Sequence, residues 1–208
     1  MWSHLLLAGT ILLLMSSCGS SKSIPVTQGN STQAAQQQTS ATSPLQQLHR
    51  QAEKGNAEAQ FALGQAYDRG REVPLDQAEA VRWYRRAAEQ SDTFSQFFLG
   101  NKYWEGSGIS KNEQEAIRWW HKAAAQGFAP AQNSLGQALA TGSKTLGQDK
   151  VQAYMWLALS AIQGDQEADQ QRAALSKQLK QDQLKKAMAL VKAWKPAKPR
   201  AVVLKKTP

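Results

Sequence analysis

The chain has 208 residues, 41% of them hydrophobic, and a formal net charge of +9, which accommodates one well-packed domain with flanking segments. Its single cysteine, Cys18, excludes an intramolecular disulfide, a cysteine zinc cluster and a paired-thiol redox site. The apolar share is mostly Ala and Leu supplemented by seven Trp, a composition that favours an all-helical fold packed through small residues and large rings.

Leu5 to Met15 form an eleven-residue run broken only by Gly9 and Thr10. This suits the apolar core of a signal peptide and falls short of the roughly 20 residues that span a bilayer. The residues that follow, Met15-Ser16-Ser17-Cys18, resemble a bacterial lipobox. The resemblance implies a signal peptide over 1–17, lipidation at Cys18, and, with Gly19 rather than aspartate after the cysteine, an outer-membrane address facing the periplasm. Met15 stands where leucine is usual, and the start has no Lys or Arg; the alternative reading is an ordinary secretory signal. Residues 18–44 are read as a flexible tether. From Gly19 to Pro44 they are Ser, Thr, Gln, Ala and Gly with almost no large apolar residue, too little to offset the entropy of ordering. As a coil these residues span about 25–30 Å.

Aligned against itself, the chain repeats every 36 residues. Ala59-Gln60, Ser95-Gln96 and Ala131-Gln132 fall in one column, Leu63-Gly64, Leu99-Gly100 and Leu135-Gly136 in the next, then Gly70, Gly106 and Gly142. Ala80, Ala116 and Ala153 repeat as well, as do Trp83, Trp119 and Trp156, with one extra residue between Gly142 and Ala153. A period of this size predicts stacked helical pairs, because one pair cannot bury its apolar face alone. The first helix starts near Ala57, Thr93 or Ala129 and ends at the glycine column. The second opens on capping boxes, Asp76 with Glu79, Asn112 with Glu115 and Asp149 with Gln152. Leu63, Tyr67, Ala80, Trp83 and Ala87 keep three-and-four spacing, which puts the Trp83 column in the core rather than on a sugar or base.

These columns, from Ala59-Gln60-Phe61-Ala62-Leu63-Gly64 through Tyr67, Gly70, Asp76, Ala80, Trp83-Tyr84 and Ala87-Ala88, closely resemble the Sel1-like repeat, a relative of the tetratricopeptide repeat. The resemblance covers residues 45–165 and implies an all-α, right-handed solenoid of helical hairpins, about three repeats with helical caps. Leu45 to Gly55 reads as the second helix of a degenerate repeat. Residues 166–194 read as two closing helices that pack through Ala174, Leu175, Leu179, Leu184, Met188 and Val191.

The charge is uneven. Residues 50–165 hold 13 basic and 13 acidic side chains, whereas residues 195–208 hold five basic and none acidic. This tail, with Lys195, Lys198, Arg200, Lys205 and Lys206 among prolines, is read as a disordered basic arm suited to anionic lipid, glycan or an acidic partner, or as a solubilising tail without one. Nucleic acid is not expected, because the chain reads as secreted and no aromatic interleaves these charges.

No catalytic, metal or cofactor site is expected. The three histidines, His4, His49 and His121, have no metal or catalytic-pair spacing. Gly142-Ser143-Lys144-Thr145 only superficially matches a phosphate loop. A cysteine-rich branch of the resembled family is linked to penicillin hydrolysis, but the chain lacks Ser-x-x-Lys and its repeats lack cysteine. Glu113 and Glu115 read as capping and surface residues.

In solenoids of this kind the concave groove is lined by the first helix of each unit, which implies a protein or peptide partner. Candidate groove residues are the amides Gln65, Asn101 and Gln137, the column Phe61, Phe97 and Asn133, and Asp68 and Trp104. Trp104 is either an anchor for a ligand or partly buried against a neighbouring repeat. The function expected is a membrane-tethered periplasmic adaptor for a protein or peptide; the alternatives are a glycan-binding module and a wall-active hydrolase.

Overall fold

The computed structural model describes residues 43–143 and 145–197. Cys18, the lipobox, the tether up to Thr42 and the tail from Lys198 onward lie outside the described residues, while Ser43 and Pro44, read as the end of the tether, cap and open the first helix. Nine helices follow one another among them: α1 (Pro44–Glu53), α2 (Ala57–Arg69), α3 (Gln77–Glu89), α4 (Thr93–Glu105), α5 (Glu113–Ala125), α6 (Ala129–Thr141), α7 (Lys150–Ile162), α8 (Gln166–Ser176) and α9 (Gln181–Ala193). None is long and apolar enough to cross a membrane. α2 pairs with α3, α4 with α5 and α6 with α7, and each hairpin stacks on the next.

Within a hairpin the two helices meet through a large side chain laid on a glycine, a ring in the first two hairpins and a leucine in the third. A methyl group at Gly64, Gly100 or Gly136 would stand 2.5, 2.4 and 2.7 Å from the side chains of Tyr84, Trp120 and Leu157 respectively. The glycines are there for contact, since each hairpin closes only as far as this position lets it. Trp83, Trp119 and Trp156 are at most 5% exposed, as the packing stripe requires. Cationic side chains lie over two of these rings, Arg86 at 4.6 Å from Trp83 and Lys122 at 3.8 Å from Trp119.

Between hairpins the joint is polar. Gln60, Gln96 and Gln132 are buried, and each donates from Nε2 to the carbonyl of Ala52, Ala88 or Ala124 in the preceding helix, at 2.9, 3.1 and 3.1 Å. Each also accepts, through Oε1, the amide of Gln90, Gln126 or Gln163 at 2.7, 2.8 and 2.8 Å. Ala52 is the last buried residue of α1, so α1 takes part in this ladder as the second helix of an incomplete hairpin.

The turns between hairpins also repeat: Gly55, Gly127 and Gly164 have φ of 92°, 92° and 97°, and Ser91 takes the same left-handed conformation at 71°. Second-helix caps are half of what the spacing predicts. Asp76, Asn112 and Asp149 accept the N–H of Glu79, Glu115 and Gln152, but Glu79 and Glu115 do not reach back; they pair with Arg82 at 2.8 Å and Arg118 at 3.0 Å one turn on. The backbone N–H groups of Asp76 and Asn112 are already taken, donating to the Tyr67 and Tyr103 carbonyls at 3.0 and 2.8 Å.

At the C-terminal end α8 stacks on α7 as the first helix of a fourth hairpin would, while α9 packs chiefly on α7. Its buried residue is Ala187, and the expected packing residues Met188 and Ala174 are exposed, Met188 at 56%. Leu190, Val191 and Trp194 instead join the α5–α6–α7 core. The first tail residues follow the same course, with Ala197 N–H donating to the Ala125 carbonyl at 2.7 Å.

Two stability measurements check this account. Ser91→Gly relieves a left-handed side-chain residue and is expected to gain roughly 0.5–1 kcal/mol in urea denaturation. Gln96→Leu removes the hydrogen bonds to the Ala88 carbonyl and from the Gln126 amide, each of which keeps a weaker partner at Ser91, and is expected to cost about 1–2 kcal/mol.

Candidate functional site

Residues three, seven and ten apart lie on one face of a helix. On the first helices this face carries Glu58, Phe61, Gln65 and Asp68 on α2; Phe94, Phe97, Asn101 and Trp104 on α4; and Pro130, Asn133, Gln137 and Ala140 on α6. All eight groove residues expected from the sequence are half-buried here, but they do not do the same thing.

At the N-terminal ends of these helices every phenylalanine of the chain gathers. Phe61 lies 5.7 Å from both Phe94 and Phe98, Phe94 lies 5.1 Å from Phe128, and Phe97 lies 5.3 Å from Phe128 and 5.5 Å from Phe98. Phe94 is 51% exposed, the most accessible ring of the five. It stands three residues before Phe97, the spacing that could have found it. Phe128 occupies the N-cap position of α6, where Asn56 and Asp92 cap the earlier first helices, and makes no side-chain cap. Ring contact has replaced a hydrogen bond there.

The three amides differ. Gln65 makes no side-chain hydrogen bond among the described residues. Asn101 accepts the indole N–H of Trp120 at 2.8 Å, which fixes its carbonyl and leaves its NH₂ without a partner among the described residues. Gln137 donates to Asn133 at 2.9 Å and to Glu167 at 3.3 Å, and Asn133 donates to Asp165 at 2.9 Å. The amide column is therefore available in the first two repeats and tied to the C-terminal cap in the third.

Asp68 is also spoken for. Its Oδ1 accepts Lys102 Nζ at 2.5 Å and its Oδ2 the Tyr84 hydroxyl at 3.2 Å. Burial, with the neighbouring Asp68 carboxylate, raises the Tyr84 phenol well above its usual range, so it stays a donor. Lys102 is 7% exposed and donates as well to Gln77 Oε1 at 2.6 Å, where Ser107 adds a third contact at 2.9 Å.

Trp104 is half-buried. Its ring lies 5.2 Å from that of Trp120, and its remaining surface lines a cleft of about 380 Å³ between the second and third hairpins, with Asn101, Glu105, Glu113, Gln137 and Ala138 among the other walls. The Glu113 carboxylate accepts hydroxyl hydrogen bonds from Ser143 and, at 2.6 Å, from Thr145, and pairs with Lys111 at 3.4 Å. These hydroxyls, Ser143 first, hold Glu113 below its ordinary carboxylate range.

A scan against known families matches the Sel1 repeat three times in tandem, at residues 57–92, 93–128 and 129–165, more than half of the chain. The chain belongs to the Sel1 repeat family. Its repeats are those marked by the helical hairpins, and the last is the one that holds the extra residue, in the turn between Gly142 and Asp149. A crystal structure of a Sel1 repeat protein from Oxalobacter formigenes is 34% identical, covers 62% of this chain and 97% of its own, and superposes with a TM-score of 0.57. The protective antigen c5321 of uropathogenic Escherichia coli, described as displaying an SLR fold, is 28% identical over 72% of this chain and 40% of its own, with a TM-score of 0.47. Helicobacter pylori cysteine rich protein B is 30% identical over 38% and 60%, with a TM-score of 0.38. No curated protein matches the chain. Sel1-like repeat proteins commonly mediate protein–protein interaction.

The Glu113 contacts have a pH consequence. A depressed carboxylate contributes stability above its ordinary range and loses it only as pH falls through the lowered value, so the Ser143–Thr145 turn should remain anchored under mildly acidic conditions. Replacing both Ser143 and Thr145 by Ala is expected to return Glu113 toward the ordinary range, measured by NMR titration of its side-chain carboxyl carbon.

Proposed function

We propose that the first-helix face binds a segment of another protein, and that the chain acts as an adaptor held at the outer membrane, on its periplasmic side, through lipid on Cys18. The observation that carries the binding reading is the stripe Phe94, Phe97, Asn101 and Trp104 on α4: an exposed ring, a clustered ring, an oriented amide and a half-buried indole in one row beside a cleft. An aromatic edge with adjacent amide donors matches the side chains and main-chain carbonyls of an extended polypeptide. The membrane part of the reading rests on the lipobox-like residues 15–18 and the tether-like composition up to Pro44. The basic tail supplies further contacts to anionic lipid or glycan.

Affinity capture from intact cells, read by mass spectrometry, tests the binding part. Wild-type chain is expected to enrich one envelope protein, with the yield reduced about tenfold or more by Phe94→Ser or by Asn101→Ala, since a few contacts carry most of an interface's energy. Recovery of glycan alone, dependent on the tail and indifferent to Phe94, would instead establish a glycan-binding module. For the anchor, Cys18→Ala is expected to move the chain from the membrane fraction to the soluble one; an unchanged distribution would reject lipidation at Cys18.

A further inference from the structure

Because the repeats are superimposable by residue number, each joint can be compared position by position with the next. At the first joint Lys102 reaches from the second hairpin into the first, where its ammonium meets Asp68, Gln77 and, through the Gln77 carbonyl oxygen, the Ser107 hydroxyl. Thirty-six residues on, Lys102 becomes Ala138, Asp68 becomes Trp104, Gln77 becomes Glu113 and Ser107 becomes Ser143. At the third joint, with its extra residue, the same column holds Leu175, which is 5% exposed and part of the core. The column thus reads lysine, alanine, leucine. The first joint is filled by its own ammonium; the second opens into the 380 Å³ cleft and the third into one of about 320 Å³, where Ala140, Leu157 and Leu175 stand in place of Trp104, Trp120 and Ala138, so that of these two clefts only the second sets an indole beside a carboxylate.

The substitutions around the gap are not neutral. Losing the lysine while turning Gln77 into Glu113 leaves a carboxylate where the first joint presents an amide oxygen to an ammonium. Serine still bonds that oxygen, Ser143 to Glu113 as Ser107 to Gln77. The opposite wall has become an indole face, itself a surface for cations, and Glu105 adds a second carboxylate at the rim. The chain's own Lys111 already shows the preference from outside: its ammonium lies 5.7 Å from the centre of the Trp104 ring and 3.4 Å from Glu113, on a side chain that is 56% exposed.

We propose that the cleft between the second and third repeats is a receptor for a primary ammonium, the side chain of a lysine on the bound polypeptide, which takes the place that Lys102 fills in the first joint. This rests on the binding reading above and names the ligand chemistry of that same face: a lysine in the cleft, with apolar side chains along the phenylalanine edge.

The test uses full-length protein and two small probes, N-acetyl-lysine methylamide and its uncharged norleucine counterpart, titrated while the Trp104 indole and Asn101 amide resonances are followed by NMR. The lysine probe is expected to shift both and to bind about tenfold more tightly than norleucine. Ala138→Lys, which restores the internal cation, and Glu113→Gln are each expected to abolish that difference, while Lys111→Ala, which removes the competing ammonium, strengthens binding. Ala138→Lys is also expected to raise the melting temperature, a readout independent of any ligand. Equal shifts from both probes, no shift from either, or a lysine preference that survives Ala138→Lys would overturn the proposal. Capture of a partner through Phe94 and Asn101 can succeed or fail whichever way this titration goes, so the two readings fail separately.

Discussion

A buried amide must find both a donor and an acceptor, and in this chain that requirement sets how one hairpin sits on the next. Gln60, Gln96 and Gln132 lie where water does not reach. Each finds its acceptor in the last turn of the preceding helix and its donor in a glutamine at the end of its own hairpin. A hairpin that slid along its neighbour would break the glutamine-to-carbonyl hydrogen bond in a dry site and leave the amide held only by its own hairpin. Apolar contact brings the hairpins together, and the large side chain laid on glycine sets their internal spacing, but the glutamines fix the register. With register fixed, identical column positions become structurally equivalent, and a change of residue within a column becomes a change of local chemistry on an unchanged frame.

That frame was legible in the sequence because its constraints are steric and periodic. Leu63, Leu99 and Leu135 with the following glycines, the three tryptophans of the second helices and the aspartate or asparagine caps recur at a fixed interval, and each has one structural use. The Ala-Gln column was equally visible as a repeat, yet nothing in its spacing says which carbonyl a glutamine will reach. That depends on the angle between hairpins. The same limit applies to the caps: Asp76 and Asn112 were predictable from local geometry, whereas the loss of the reciprocal half follows from the fold of the hairpin, which gives the Asp76 N–H to the Tyr67 carbonyl and leaves Glu79 to Arg82.

The candidate site was legible in outline only. Helical spacing places Phe61, Gln65, Phe97, Asn101, Trp104, Asn133 and Gln137 on one face, but spacing cannot report which of them are consumed internally. Asp68 is taken by Lys102, and Gln137 and Asn133 by the acidic start of the C-terminal cap, so the polar surface left for a partner is concentrated on the first two repeats. The closing helices were the least legible part. A pattern that suits a helix packed on its predecessor suits equally one that swings back over α7, and Ala187 rather than Met188 turns inward because of that swing.

The buried pair of Lys102 with Asp68 also governs how the stack deforms. An ion pair shielded from water loses most of its strength once water enters between the charges, so it resists small displacements and then yields abruptly, in the manner of a latch. The neighbouring joint, which has Trp104 and Ala138 at those positions, carries no such element and encloses open space. Of the three joints only the first carries such an element, so the first two repeats are expected to move as one stiff arm, with bending left to the two joints that follow.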